Sequence, residues 1–441
     1  MPASPPPSSV PAAVGAPGPP IPAPARTAPR GSATATKLPS LTGMRWVAAF
    51  LVFGYHIGTL GVINDHRVRH DWDYVFGYGQ TGVAFFFVLS GFVLVWSARS
   101  GDTVVRFWRR RVAKIYPNHV VTWVIVIGLM LAWGDEVTGK AAFSNLFLIH
   151  PWINYDGIPY SINSVSWSLG CEAFFYLCFP LVLPLVRRMP VWALYAAAGA
   201  LYVAIHVAFV YSGHYDDPWS GWINYQLPPV RSLEFWLGVV VGELVVRRQW
   251  RGPGLWVGTA VVVAVYGGTR NIPWFPVSLP SDWWSADLPL AFVIFIAGAA
   301  MADISGAWSP WRWRPLVWLG EISFAFYMVH VQFMKNMMRW AHRDNGHGWP
   351  AGKGLLVVVF FLAVSIFLAW LLYRFVETPM MRVLGPRRRP RPDAVSDRKG
   401  PTEDPKVVVL ASTASPAAEP GTGEPDRTPP HGDMWLAGPR K

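Results

Sequence analysis

Blocks of about 20 residues, almost wholly apolar, recur between residues 42 and 374, and they constrain this chain more than any other feature. A helix crossing roughly 30 Å of hydrocarbon needs about 20 such residues, since each adds about 1.5 Å. Ten segments qualify: 42–62, 80–98, 118–134, 167–186, 191–211, 229–246, 253–270, 286–303, 315–334 and 353–374. Composition points the same way. Charged residues make up 15% of the 441, against about 25% in soluble domains. The 25 Trp, 25 Phe and 15 Tyr suit rings at membrane interfaces. The two cysteines, Cys171 and Cys178, lie in one apolar block and exclude a disulfide scaffold or a Cys-rich zinc module. The expected fold is all-α: a polytopic membrane helix bundle of about ten transmembrane helices.

The flanks have a different character. Residues 1–37 hold eleven prolines among Ala, Ser, Gly and Thr, and residues 386–441 open on a Pro-Arg cluster. Neither can bury a core, so both are expected to be disordered tails around a membrane domain over 38–380. No apolar stretch in the first tail precedes a cleavage site, so no secretory signal peptide is expected.

The net charge of +12 does not point to nucleic acid, because the cations fall between the blocks and in the tails. Alternate loops differ. One set carries thirteen basic residues (Arg99, Arg106, Arg109, Arg110, Arg111, Lys114, Arg187, Arg188, Arg247, Arg248, Arg251, Arg312 and Arg314), and the opposite set carries eight over longer loops. The positive-inside rule puts the first set in the cytoplasm. With an even number of spans both termini are expected there too, in a multi-pass protein of the plasma membrane.

Ionisable groups inside spans are costly and tend to mark function. In the first block Arg45 and His56 are eleven apart, about three helical turns, so they share one stripe roughly 16 Å long. A cation at the mouth suits an anionic ligand, and an imidazole at depth suits proton transfer near neutral pH. A snorkelling Arg with a packing His explains the pair equally well. The run Arg106-Phe107-Trp108-Arg109-Arg110-Arg111-Val112-Ala113-Lys114 is either topology signal or a set of forks for phosphates. Ser168 and Glu172 share a helix face. Arg231 and Glu234, three apart, read best as a structural ion pair. Ser323, Tyr327 and His330 form one polar stripe. Ser90 lies outside any Gly-x-Ser-x-Gly elbow, which argues against a serine nucleophile.

Together these blocks resemble the acyltransferase 3 family of integral membrane acyltransferases. The carrying residues are Arg45-x10-His56, the run Gly82 to Phe92 ending Phe-Phe-x-x-Ser-Gly-Phe, and the basic stretch closing on Lys114-Ile115-Tyr116-Pro117. Further ones are Ser166-Trp167-Ser168-Leu169 with Glu172, the segment Ser323 to His330, and Glu377-Thr378-Pro379. Lys114 stands where the family usually has Arg, and a monodentate ammonium can still meet a phosphate.

The resemblance implies transfer of an acyl group, acetyl or another short chain, from acyl-CoA to a hydroxyl of a carbohydrate or glycosylated natural product. It implies His56 as general base, Arg45 holding the donor, and Glu172 orienting the imidazole or meeting the acceptor. Arg109, Arg110, Arg111 and Lys114 would engage the nucleotide phosphates. Trp167, Ser168, Ser90, Tyr327 and His330 would contact substrate. Acyl-CoA is then a co-substrate, with no tightly bound cofactor and no metal. An acyl-histidine route stays open.

His66 and Asp71 match the His-x4-Asp pattern of glycerolipid acyltransferases, but they sit in a loop assigned to the non-cytoplasmic side. The rival class is a secondary transporter or a lipid or sugar flippase with Arg45, His56 and Glu172 as a substrate or proton path. It predicts matched interrupted helices, and no such internal symmetry is visible.

Overall fold

A computed structural model describes residues 37–98, 101–155, 157–213, 218–270, 275–276, 278–279, 284–344 and 347–385. Apart from Lys37, the two expected tails lie outside the described residues, as does Arg99 of the basic loops.

The described chain is all-α. In order the helices are α1 (Pro39–Thr59), α2 (His66–Phe76), α3 (Thr81–Ser97), α4 (Val104–Trp133), α5 (Gly139–Leu146), α6 (Trp167–Arg188) and α7 (Val191–Gly213). Then come α8 (Pro218–Tyr225), α9 (Pro228–Val246), α10 (Leu255–Thr269), α11 (Trp284–Ser305), α12 (Arg314–Trp340), α13 (Ala351–Leu372) and α14 (Thr378–Leu384), with a π turn over Tyr373–Glu377 before α14.

Helices occupy all ten positions expected from hydropathy. Among the described residues, seven helical stretches are long and apolar enough to cross a membrane: His66–Ser97, Val104–Trp133, Trp167–Arg188, Val191–Val210, Ala286–Ser305, Arg314–Trp340 and Ala351–Leu384. The expected figure of about ten is thus met only in part. Helix α10 is apolar but only 15 residues long. Helices α1 and α9 are 21 and 19 residues long. Their ionisable residues, Arg45 and His56 in the first and Arg231, Glu234 and Glu243 in the second, hold their apolarity down.

Lipid tails are as apolar as Leu, so close packing and hydrogen bonds hold such helices together. The α3–α9 crossing shows the first device: a Cβ on Gly91 would overlap the Phe235 carbonyl, and one on Gly238 the Val88 carbonyl, so the backbones touch. The start of α1 shows the second. Asp303 accepts from the Ser40 amide at 2.9 Å and its hydroxyl at 2.7 Å, and pairs with Arg312 at 2.9 Å.

Two boundaries move relative to the sequence reading. Helix α4 begins at Val104, with the Thr103 hydroxyl accepting from the Arg106 amide at 3.3 Å, and runs through Pro117. The cationic run is therefore helical, and its members have fixed faces. Helix α12 continues to Trp340 and brings Arg339 within 2.6 Å of Asp135, just past the end of α4.

Candidate active site

Five helices enclose a cavity of about 150 Å³ at the end of the bundle that carries the cationic run. Arg45 of α1 lines it, with Ser90 of α3, Arg111 and Lys114 of α4, Ser168, Glu172 and Tyr176 of α6, and Ser323 and Tyr327 of α12. The last two form the stripe expected on α12. One turn further along α12, His330 is completely buried, and its ring centroid is 5.1 Å from that of His56. His56 is not among the cavity's lining residues; Phe86 and Tyr327, which are, have ring centroids 6.4 Å apart.

The two imidazoles have assignable protons. His330 Nδ1 lies 3.1 Å from the Phe326 carbonyl and 3.0 Å from the Tyr327 carbonyl. Carbonyls only accept, so Nδ1–H donates and His330 Nε2 keeps its lone pair. His56 Nδ1 lies 2.8 Å from the Val52 carbonyl and 3.2 Å from His330 Nε2. Both of these neighbours accept, so His56 Nδ1 carries a shared proton. The lone pair of His56 is then on Nε2, the arrangement a general base needs. All three carbonyls come from the preceding helical turn, so the helices themselves fix the tautomers.

The other predicted site residues divide. Of the four cations, Arg111 and Lys114, three apart on α4, line the cavity. Arg111 also sits 5.8 Å from the Phe107 ring centroid and 5.9 Å from that of Tyr176. Arg110 pairs with Asp102, and Arg109 is exposed and donates to the Leu384 carbonyl at 2.7 Å; neither lines the cavity. Glu172 meets Tyr176 rather than His56. The Tyr176 hydroxyl donates to its carboxylate at 2.8 Å, so Ser90 must donate to Tyr176, at 3.2 Å. Ser168 and Tyr327 have hydroxyls 3.0 Å apart, each 3.1 Å from the Val165 carbonyl. Trp167 does not present a free ring face: it is buried, with the Tyr225 ring centroid 4.9 Å away and that of Phe87 at 6.3 Å.

Two groups were not singled out as site residues by the sequence. Tyr176 is one; its i+4 spacing from Glu172 was the available signal. Glu377 is the other. It is fully buried on the π turn, ion-paired to Lys114, and accepts from Asn118 at 2.7 Å. Helix π turns often occur at functional sites, but nothing in the sequence marks this one. The Arg231–Glu234 pair forms as expected, at 3.0 Å. His66 and Asp71 lie on the short α2, which Asp65 caps by accepting from the Arg67 and Val68 amides. Among the described residues, no group of three or more His, Cys, Asp or Glu is placed to hold a metal ion.

Comparison with known proteins adds an independent line. The family model described as an acyltransferase domain (Acyl_transf_3) matches residues 38–374. Acyltransferase MdmB of Streptomyces mycarofaciens is 38% identical over 384 residues, spanning 82% of this chain and 96% of that protein. Exopolysaccharide production protein ExoZ of Rhizobium meliloti (strain 1021) is 28% identical over 313 residues, covering 70% of this chain and 91% of its own. Nodulation protein 10 of Rhizobium leguminosarum bv. viciae is 24% identical over 353 residues, covering 71% and 85%. No solved structure matches the chain. With a matching model over most of its length and a relative this similar end to end, the chain belongs to the acyltransferase 3 family of membrane acyltransferases.

Proposed function

We infer that this protein is an acyl-CoA-dependent O-acyltransferase that moves acetyl, or another short acyl group, to a hydroxyl of a carbohydrate or glycosylated acceptor. The observation that carries the chemistry is the α1 stripe. Arg45 faces a cavity shared with Arg111 and Lys114, and three turns deeper His56 meets His330. A relative named for exopolysaccharide production supports a sugar-bearing acceptor. Family membership supports this reading over the transporter.

The steps follow from the assigned protons. His56 Nε2 takes the proton of the acceptor hydroxyl as its oxygen attacks the thioester carbonyl. The imidazolium then donates through Nδ1–H to the Val52 carbonyl and to the lone pair of His330 Nε2, which stabilises the charge. The C–S bond breaks, the CoA sulfur recovers the proton from His56, and an ester and free CoA leave. Arg45, Arg111 and Lys114 hold the donor's phosphates and carbonyl from the cavity side. Glu377 fixes Lys114. His330 acts on the substrate only through His56, as a positioning residue.

For the membrane, the reading is ten spans, with α1, α9 and α10 completing the seven apolar stretches. The cationic end of the bundle, and hence the donor cavity, faces the cytoplasm, where acyl-CoA is found, and both termini lie on that side.

The test is transfer of radiolabelled acetyl from acetyl-CoA by purified full-length protein in lipid nanodiscs. The acceptor is a small-molecule and lipid extract of host cells lacking the protein. A product heavier by one acetyl group, by mass spectrometry, identifies both partners. A wild-type protein that consumes no acetyl-CoA and acylates nothing sinks the reading.

A further inference from the structure

A second cavity, also about 150 Å³, lies between α3, α7, α8, α9 and α11. It gathers the N-terminal ends of α3, α9 and α11 and the C-terminal half of α7, so it sits toward the end of the bundle away from the cationic run. Its polar members include Gln80, Thr81, Arg231 and Glu234. The last three are nine-tenths buried or more. Each of the four holds a buried polar atom with no hydrogen-bond partner: Gln80 Oε1, Thr81 Oγ1, Arg231 Nε and Glu234 Oε2. Four buried polar atoms without a protein partner, on residues around one cavity, are costly unless something else meets them. A desolvated ion pair adds to that cost unless its remaining groups are satisfied.

The chemistry of those atoms specifies what would satisfy them. The guanidinium offers a donor, the carboxylate and the amide carbonyl offer acceptors, and the threonine hydroxyl can do either. The Arg231–Glu234 pair cancels its own charge, so nothing here favours an ion. Neutral hydroxyls, each both donor and acceptor, fit the set. The cavity also lies beside the first one. Phe87 lines the first cavity and carries the Arg231 guanidinium 5.3 Å from its ring centroid.

We propose that this second cavity seats the acceptor: a neutral, hydroxyl-rich sugar ring entering from the end opposite the donor, held by Gln80, Thr81, Arg231 and Glu234. Its reacting hydroxyl turns toward His56. The proposal rests on the acyl-transfer reading above and adds where, and from which side, the acceptor binds.

Gln80 and Thr81 supply the test, because their orphan atoms hold nothing in the protein. Thr81→Val and Gln80→Leu, in full-length protein in nanodiscs, are assayed with acetyl-CoA and a dilution series of the deletion-strain extract. Each is expected to raise the half-saturating extract concentration about tenfold. The acetyl-CoA KM, the acceptor-free hydrolysis of acetyl-CoA and the thermal unfolding midpoint should hold. A merely structural role predicts no change in acceptor dependence, because no protein contact is removed. If the wild type transfers and both variants keep its acceptor dependence, or if the loss falls equally on acceptor-free hydrolysis, the second cavity is not the acceptor site. If the wild type neither transfers nor hydrolyses, the acyl-transfer reading itself fails and takes this inference with it.

Discussion

The two cavities are alike in size and opposite in charge design. Both measure about 150 Å³. The first sets three cations, Arg45, Arg111 and Lys114, against Glu172 and, behind Lys114, the buried Glu377. The second contains a self-neutralised pair, Arg231 and Glu234, with polar atoms left over. An aromatic layer of Phe87 and Trp167 lies near both. On the proposed assignment, that contrast sorts an anionic donor and a neutral acceptor to opposite ends of one bundle. Surplus positive charge recruits phosphates, whereas cancelled charge with unsatisfied lone pairs and N–H groups recruits hydroxyls.

Four substitutions break or sharpen that contrast, and their expected effects descend. His56→Ala, at the depth where both substrates must meet, should lower kcat about a thousandfold with little change in either KM, measured as labelled ester formed. Transfer near the wild-type rate would leave the imidazole without a chemical role. Arg45→Met should act on the donor side alone, raising the acetyl-CoA KM about fiftyfold by loss of a charge-assisted contact. A matching rise in acceptor KM would mean that the cavities do not divide the substrates.

His330→Phe should reduce kcat about twentyfold while both KM values hold, since the imidazolium loses one charge-assisted acceptor. Partial rescue by His330→Gln, whose carbonyl can accept, separates this role from packing. Arg109→Met should change the acetyl-CoA KM by less than about twofold, because this side chain is exposed and bonds the Leu384 carbonyl away from the cavity. A large effect there would extend the donor site beyond the first cavity.

The division among the four cations shows what limits a sequence reading. Arg109, Arg110, Arg111 and Lys114 are chemically equivalent in a list of residues. They separate only in the fold: Arg111 and Lys114 reach the cavity, Asp102 holds Arg110 away from it, and Arg109 reaches the Leu384 carbonyl instead. Trp167 makes the same point. Its ring is a plausible sugar platform by type, yet Tyr225 packs beside it, from a helix 50 or so residues onward. Glu377 was visible as part of a motif, but its work depends on a π turn that no periodicity announces.

The sequence by itself determined the class of this protein, the positions of its long helices and the Arg45–His56 stripe. Apolar length and the 3.6-residue period are local properties, and they are written into consecutive residues. It also carried enough ordered motifs to indicate the family. Tertiary structure alone decided that the imidazole's neighbour is His330 rather than Glu172, and which cations share a cavity with Arg45. It alone brought the orphan polar atoms of α3 and α9 around one space. These contacts join residues up to 274 positions apart, and they depend on helix crossings fixed by backbone contact at glycines such as Gly91 and Gly238. Packing of that kind sets distance and direction between side chains, and neither quantity is encoded by the spacing of residues along the chain.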